Sequence, residues 1–208
     1  MGMAMNAQTG TALDTKAAAE VKFSVAVVAP EKTARATVSF KADGFQPLPD
    51  GGWVAVNGAP MAVAPLAKQG HWYKGELPAA MSYELSYALG ANQPVVRKTL
   101  AARAFAVALP TEVSRGGALV LAFQGPPLRA NERLFAELTG GGDGPGRWGT
   151  TLKSTLSQNV ISISAESLRA ARLGPAQLYV GVLTRESSAG GYSATHAIGA
   201  EQAVRIVD

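Results

Sequence analysis

The stretch SAESLRAARLGPAQLYVGVLTRES, residues 164–187, decides how the fold is interpreted. It begins like a short helix, with Ser164 as the N-cap and Glu166 in the first turn, and Gly174 marks the expected stop. A strand–helix–strand unit of an enzyme and a helical turn between the sheets of a β-sandwich both fit this order. The helix has room for only about two turns, which is too short for the crossover of a parallel unit, so we expect the β-sandwich.

The helix and the segment after it differ in their apolar pattern. Only Leu168, Ala171 and Leu173 offer the helix an apolar face. After Gly174 the apolar residues alternate, which predicts a strand. The residues that this phase turns inward are Leu178, Val180 and Val182.

Alternation with a period of two continues along most of the chain. It is strict in residues 33–41 and 81–89 and extends to residues 20–28, which is typical of half-buried antiparallel strands. The predicted inward faces carry Val21, Phe23, Val25, Val27, Ala34, Ala36, Val38, Phe40, Met81, Tyr83, Leu85, Tyr87 and Leu89. Asn57-Gly58 between two apolar runs predicts a tight hairpin, because both residues tolerate positive φ. Strand-sized segments about ten residues apart indicate an all-β sandwich fold.

The order of elements in residues 75–110 is echoed in residues 166–208. Both run from a strand end through a short crossover to a strand, a polar loop and a long final strand, although identity between them is slight. Two successive modules are the simplest interpretation. Proline, polar residues and glycines interrupt the pattern in residues 109–117, where we expect the boundary.

We therefore predict three parts. Residues 1–19 form a disordered N-terminal tether, residues 20–112 a first β-sandwich domain and residues 113–208 a second one. The short connection implies that the two domains contact each other.

The crossover AESLRAARLGPAQLYVGV and the final pattern YSATHAIGAEQAVRIV resemble those of tandem immunoglobulin-like β-sandwich proteins of the bacterial cell envelope. The resemblance is at the level of the fold and implies two consecutive immunoglobulin-like antiparallel sandwiches with a helical crossover near residues 165–173. It places Trp53 where such domains keep a buried core tryptophan. It also implies an exported, uncharacterised lipoprotein type, periplasmic or outer-membrane-associated, whose signal segment and lipid anchor are not in this sequence. It transfers no catalytic residue.

Composition narrows the function further. The net charge of +4 divides evenly, because residues 20–112 and residues 113–208 each carry nine basic and seven acidic residues. This lacks the clustered basic face of a nucleic-acid-binding protein. The chain has no cysteine, which excludes disulfides, thiol catalysis and cysteine-ligated metals. Its start, MGMAMNAQTGTALDTKAAAE, has no apolar run long enough for a signal peptide or membrane helix.

The sequence offers little for catalysis. His71 lies beside a turn, and His196 lies in phase with Tyr192, Ala194 and Ile198; neither has HxH or HExxH spacing. We interpret both as structural, each with a local hydrogen bond. The motifs GxSxG and SxxK do not occur, and the acidic residues are predicted to lie mostly on polar strand faces as solvated surface. We therefore predict no catalytic residue, metal or cofactor.

Aromatic and arginine side chains are the remaining binding candidates. Trp72 and Tyr73 are adjacent, so on a strand one points to the core and the other to solvent. Arg147 and Trp148 follow the glycine-rich residues 140–146, which lack the Lys-Ser/Thr of a phosphate-binding loop and are expected to form a hairpin loop.

Together these features lead us to expect a non-enzymatic binding or scaffolding module that acts on a protein partner through sandwich loops or strand edges. One alternative is a carbohydrate-binding domain that uses exposed aromatic residues. Another is a non-catalytic subunit of a larger surface enzyme complex. No transmembrane segment and no nucleic-acid partner are expected.

Overall fold

The computed structural model describes residues 20–29, 33–41, 48–66, 70–141, 146–188 and 191–208. The predicted tether, residues 1–19, lies outside them. The described chain is all-β with one short helix. Its elements are β1 Glu20–Ala29, β2 Thr33–Lys41, β3 Trp53–Val56, β4 Ala59–Pro60, β5 Ala62–Leu66, β6 Gly70–Pro78, β7 Ser82–Ala88, β8 Val96–Ala101, β9 Ala106–Val107, β10 Glu112–Ser114, β11 Leu119–Gln124, β12 Glu132–Gly140, β13 Trp148–Leu152, β14 Ser154–Ser157, β15 Val160–Ile163, α1 Ala165–Leu168, β16 Gly174–Ser188 and β17 Tyr192–Val207. Among these residues no helix is long and apolar enough to cross a membrane.

The predicted inward faces of β1, β2 and β16 are confirmed, because their alternating apolar side chains are all buried. In the third alternating segment, β7 begins at Ser82, and Met81 lies in the turn before it. The Met81 side chain is exposed, contrary to prediction, while its carbonyl accepts a 3.0 Å hydrogen bond from the backbone N–H of Ala102.

The predicted hairpin at Asn57-Gly58 is confirmed. It joins β3 to β4, and both turn residues have positive φ, 49° at Asn57 and 78° at Gly58. The Asn57 side-chain oxygen accepts a 2.8 Å hydrogen bond from the backbone N–H of Glu84, which ties the turn to β7.

The helix in the deciding stretch is shorter than predicted. It is the four-residue α1, and the hydroxyl oxygen of Ser164 accepts a hydrogen bond from the backbone N–H of Ser167, as an N-cap does. Leu168 and Ala171 are buried, whereas Leu173 is exposed, so Leu173 does not belong to the apolar face. After α1 ends at Leu168, the chain reaches the start of β16 at Gly174. Gly174 has a φ of +109°, which glycine adopts at little cost.

The strands of the described residues form three sheets. The large sheet has the order β13-β12-β16-β17-β1-β2-β6-β5, with β10 also paired to β17. The first small sheet has the order β4-β3-β7-β8, and the second small sheet has the order β14-β15-β11-β9. The α1 turn therefore carries the chain from the second small sheet to the large sheet.

Each small sheet packs on the large sheet across a hydrophobic core. The first core includes Phe23, Val25, Val38 and Phe40 of the large sheet with Val54, Val56, Tyr83, Leu85 and Leu100 of the first small sheet. The second core includes Leu138, Leu178, Val180 and Ile206 of the large sheet with Leu121, Phe123, Ile161 and Ile163 of the second small sheet and Leu168 of α1. The domain boundary between residues 112 and 113 stays a prediction.

Strand β17 takes part in both cores. Its first part, from Tyr192 to Ala200, pairs in parallel with β1, and Tyr192 and Ala194 are buried in the first core. Its last part pairs in parallel with β10, and Val204 and Ile206 are buried in the second core. Strand β16 pairs antiparallel with β17 from Tyr192 to Ile206, so it runs beside both parts.

Trp53 does not occupy a core position. Its side chain is 41% exposed, because the inward positions of β3 belong to Val54 and Val56, which lie opposite Tyr87 and Leu85. The expectation of a buried core tryptophan at Trp53 is therefore wrong.

The hairpin turn gives a test of local backbone strain. A methyl group at Gly58 would contact no other residue, so Gly58→Ala isolates the cost of a positive φ. We expect a loss of about 1 kcal/mol in the free energy of unfolding, measured by urea denaturation. Gly117→Ala is the matched control, since that site is also open and has no positive φ, and it should change stability by less than about 0.5 kcal/mol. Equal effects of the two substitutions would contradict the assignment.

Candidate functional site

One segment of the chain, residues 148–157, forms the edge of two sheets. Strand β13 ends the large sheet, the chain bends at Lys153, and β14 ends the second small sheet. Lys153 is the only charged residue of this segment, and its ammonium lies 3.2 Å from the carboxylate of Glu166 on α1. We call residues 148–157 the open edge, because within the described ranges no strand pairs with its outer side.

The hairpin that joins β14 to β15 fixes which backbone groups face outward. Its turn residues, Gln158 and Asn159, both have positive φ, as a two-residue hairpin of the primed type requires. The residues next to such a turn exchange hydrogen bonds, and the following pair does not. The backbone N–H and C=O of Leu156 and Ser154 therefore point to the outer side of the open edge.

A groove adjoins the start of the open edge. It has a volume of about 470 Å³ and is lined by Gly140, Arg147, Ala176 and Gln177, among others. The Arg147 side chain is exposed, and Trp148 is partly buried against the second core. Trp148 covers its cross-strand partner Gly140 so closely that a methyl group at Gly140 would lie 2.6 Å from the indole ring. The predicted pair Arg147-Trp148 thus consists of an exposed guanidinium and a packed ring. Residues 142–145 of the predicted loop lie outside the described residues.

Trp72 and Tyr73 point to opposite faces of β6, as predicted. Tyr73 is buried in the first core, and its hydroxyl accepts a 2.9 Å hydrogen bond from the backbone N–H of Leu48. Burial raises the pKa of Tyr73, and the hydrogen bond from Leu48 opposes that rise. Trp72 is partly exposed on the outer face of the large sheet, with the Lys74 ammonium 5.8 Å from its ring.

Two cavities adjoin Trp72 on that outer face. One of about 440 Å³ is lined by Thr37, Lys74 and Glu76, among others. The other, of about 120 Å³, is lined by Lys22 and Ser39, among others. The Trp72 ring is thus flanked by hydroxyl groups and cations.

A buried ion pair lies where the two cores meet. Arg103 follows β8, and its guanidinium lies 2.5 Å from the carboxylate of Glu132 at the start of β12, with both side chains 1% exposed. Arg103 also donates to the carbonyl of Pro126, and Glu132 accepts a 3.3 Å hydrogen bond from the hydroxyl of Thr184. Burial lowers the pKa of Arg103, and the charge of Glu132 opposes that fall. The expectation that the acidic residues are solvated is wrong for Glu132.

His196 lies beside this ion pair. It stands opposite Thr184 in the pairing of β16 with β17, is fully buried, and has the ring of Tyr83 5.9 Å away. Neither ring nitrogen has a hydrogen-bond partner among the described residues, contrary to the expected local hydrogen bond. Burial lowers the pKa of His196 to about 4, although the nearby Glu132 favours protonation.

The two histidines do not converge. His71 lies on β6, and β1 and β2 separate that strand from β17. Three strand spacings place the two backbones roughly 14 Å or more apart. In the described part of the chain, no group of three or more histidine, cysteine, aspartate or glutamate residues could hold a metal ion.

Sequence reasoning missed two features. The burial of Glu132 depends on Arg103, 29 positions earlier, and no local pattern links them. The hydroxyl groups beside Trp72 did leave a signal, because the outward positions of β1 and β2 repeatedly hold serine or threonine. The sequence alone does not show that these hydroxyl groups lie side by side, because that depends on the strand register.

The buried ion pair can be tested by charge removal. Glu132→Gln leaves the Arg103 charge unpaired inside the protein, and we expect it to cost about 3 kcal/mol in denaturant-induced unfolding. Glu137→Gln, at an exposed position of the same strand, is the matched control and should cost less than about 0.5 kcal/mol. The double variant Arg103→Met/Glu132→Leu should recover most of the loss, because it leaves no charge inside. A harmless Glu132→Gln would refute this role.

The buried histidine predicts a specific pH dependence. Its pKa is about 4 in the folded protein and about 6.5 when unfolded, so the unfolded chain binds the proton first. Stability should therefore fall by about 3 kcal/mol as the pH drops from 6.5 to 4. His196→Phe keeps a ring against Tyr83 and should remove this part of the slope, whereas His71→Gln should retain it. A slope that disappears with His71→Gln instead would contradict the prediction.

No family model matches the chain, and neither a curated protein nor a solved structure does.

Proposed function

We propose that this protein is a non-enzymatic binding module of the bacterial cell envelope that captures an extended segment of a partner protein along its open edge. In this proposal residues 20–112 and 113–208 are two consecutive immunoglobulin-like sandwiches that share β17. The fold-level resemblance to tandem envelope proteins supports an exported, periplasmic or outer-membrane-associated location and a lipid anchor.

The observation that carries the proposal is the chemistry of the open edge. Soluble proteins protect exposed edge strands with lysine, proline, bulges or covering segments, because unpaired backbone groups recruit other chains. The opposite edge of the large sheet follows this rule, since β5 contains Pro65. The open edge contains no proline, and its one lysine lies at the bend between β13 and β14. A partner strand can therefore pair with the outward backbone groups of Ser154 and Leu156.

The side chains along the open edge suit an extended, uncharged segment. Thr151, Thr155 and Ser157 are exposed, small and neutral, so they neither repel a partner strand nor block its approach. Arg147 stands at one end, where the groove of about 470 Å³ begins. There its guanidinium can pair with an acidic residue or a chain-terminal carboxylate of the partner.

A photo-crosslinking experiment tests the proposal. A photoreactive amino acid replaces Thr155 on the open edge in one variant and Val63 on β5 in the other, and both proteins are irradiated in envelope extract. We expect one defined protein to crosslink through position 155 and not through position 63. Peptide mapping should place the adduct in an extended segment of that protein.

A backbone substitution shows whether edge pairing is responsible. Ser154→Pro removes an outward N–H and should abolish the adduct with little loss of stability, whereas Thr155→Pro removes a hydrogen bond to β15 and should destabilise the fold. Adducts that survive Ser154→Pro, equal yields at both edges, or no adduct at all would refute capture by the open edge.

A further inference from the structure

The outer face of the large sheet carries a belt of hydroxyl groups that crosses the strands. Strand register places these residues side by side, because directly paired residues share a face. We call this set the hydroxyl belt: Thr37 of β2, Ser24 of β1, Ser193 and Thr195 of β17, and Ser187 of β16. Ser39 of β2 faces the same side but is buried. From β2 to β16 the belt covers three strand spacings, roughly 14 Å, and Trp72 on the neighbouring β6 adds a fourth.

Trp72 lies at one end of the hydroxyl belt. Its cross-strand neighbour on β5 is Ala64, and Thr37 borders both cavities beside the indole. A partly exposed indole beside a cavity of about 440 Å³ offers a flat apolar surface to a sugar ring. The neighbouring hydroxyl groups can donate to and accept from the hydroxyl groups of the same sugar.

The charges around the belt favour an anion. Beside the belt, among the side chains that the structure describes, stand four cations, Lys22, Arg35, Lys74 and Arg185, and two carboxylates, Glu20 and Glu76, which leaves a local net charge of +2. The carboxylates are already paired, Glu20 with Lys22 at 3.2 Å and Glu76 with Arg35 at 3.8 Å. Lys74 and Arg185 lie at opposite ends of one row across the sheet, on either side of Thr37 and Thr195.

We infer that the hydroxyl belt binds an acidic oligosaccharide, with one sugar ring stacked on Trp72 and sugar carboxylates held by Lys74 and Arg185. The ligand crosses the strands, and the belt is long enough for several sugar residues. A neutral glycan would leave the cations unused. A single-stranded nucleic acid needs successive aromatic platforms and a stronger basic groove, whereas the belt has one tryptophan. This inference is independent of the proposed function, which rests on the open edge.

Titration of the full chain tests the inference. The probes are a short oligogalacturonate, a neutral oligogalactoside of the same length and a single-stranded oligonucleotide. We expect saturable binding of the oligogalacturonate that weakens with added salt, and little or no binding of the other two. Trp72→Ala should weaken this binding about tenfold, and Lys74→Gln combined with Arg185→Gln should weaken it about fivefold.

Matched controls make each outcome decisive. Trp53→Ala removes another exposed tryptophan from a different sheet and should leave binding unchanged, as should Ser154→Pro on the open edge. Circular dichroism checks that every variant is folded. Equal binding of the neutral oligosaccharide or the oligonucleotide, loss of binding with Trp53→Ala, or no binding of any probe would overturn the inference. Failure here leaves the crosslinking result at Thr155 unaffected, so the two proposals fail separately.

Discussion

The backbone pairing of β17 is the constraint on which this structure depends. This strand pairs with β16 along its whole length, with β1 beside its first part and with β10 beside its last part. Its inward side chains change from the first core to the second between Ala194 and Val204. The two cores therefore cannot move apart without breaking a continuous ladder of hydrogen bonds, and the outer face of the large sheet stays a single surface.

Local patterns predicted the local structure well. Alternation gave the inward faces of β1, β2 and β16, Asn57-Gly58 gave a hairpin, and Ser164 gave a helix cap, because each depends on residues close in sequence. The partners of the strands were not predictable in this way. Alternation tells which face of a strand is apolar but not which strand lies beside it, so the parallel pairing of β1 with β17 was missed. Trp53 shows a related limit. Val54 and Val56 occupy the inward positions of β3, so the larger Trp53 points outward.

The candidate sites show the same difference between what local sequence predicts and what strand pairing decides. The sequence singled out Trp72, Tyr73, Arg147 and Trp148, and the structure buries Tyr73, packs Trp148 over a glycine and leaves Trp72 and Arg147 accessible. Trp72 lies beside the hydroxyl belt, and Arg147 lies beside the open edge. Both surfaces are defined by strand register and sheet order, which the local sequence pattern does not give. The ion pair of Arg103 with Glu132 likewise required two distant segments to meet. This ion pair is a charged contact between the cores. It stabilises the fold only when both charges are held in good hydrogen-bonding geometry, whereas an apolar contact at the same place has no such requirement.

The parallel pairing of β1 with β17 has a consequence for biogenesis. Val21 and Tyr192 are 171 positions apart, so during synthesis β1 leaves the ribosome long before its partner is made. Contacts of such sequence separation slow folding, because a large loop must close before they form. Until then the first core lacks the buried side chains of Tyr192 and Ala194, and one flank of β1 is uncovered. Exposed apolar surface and unpaired strand edges of this kind promote aggregation, so a partly made chain has to avoid other chains until β17 arrives.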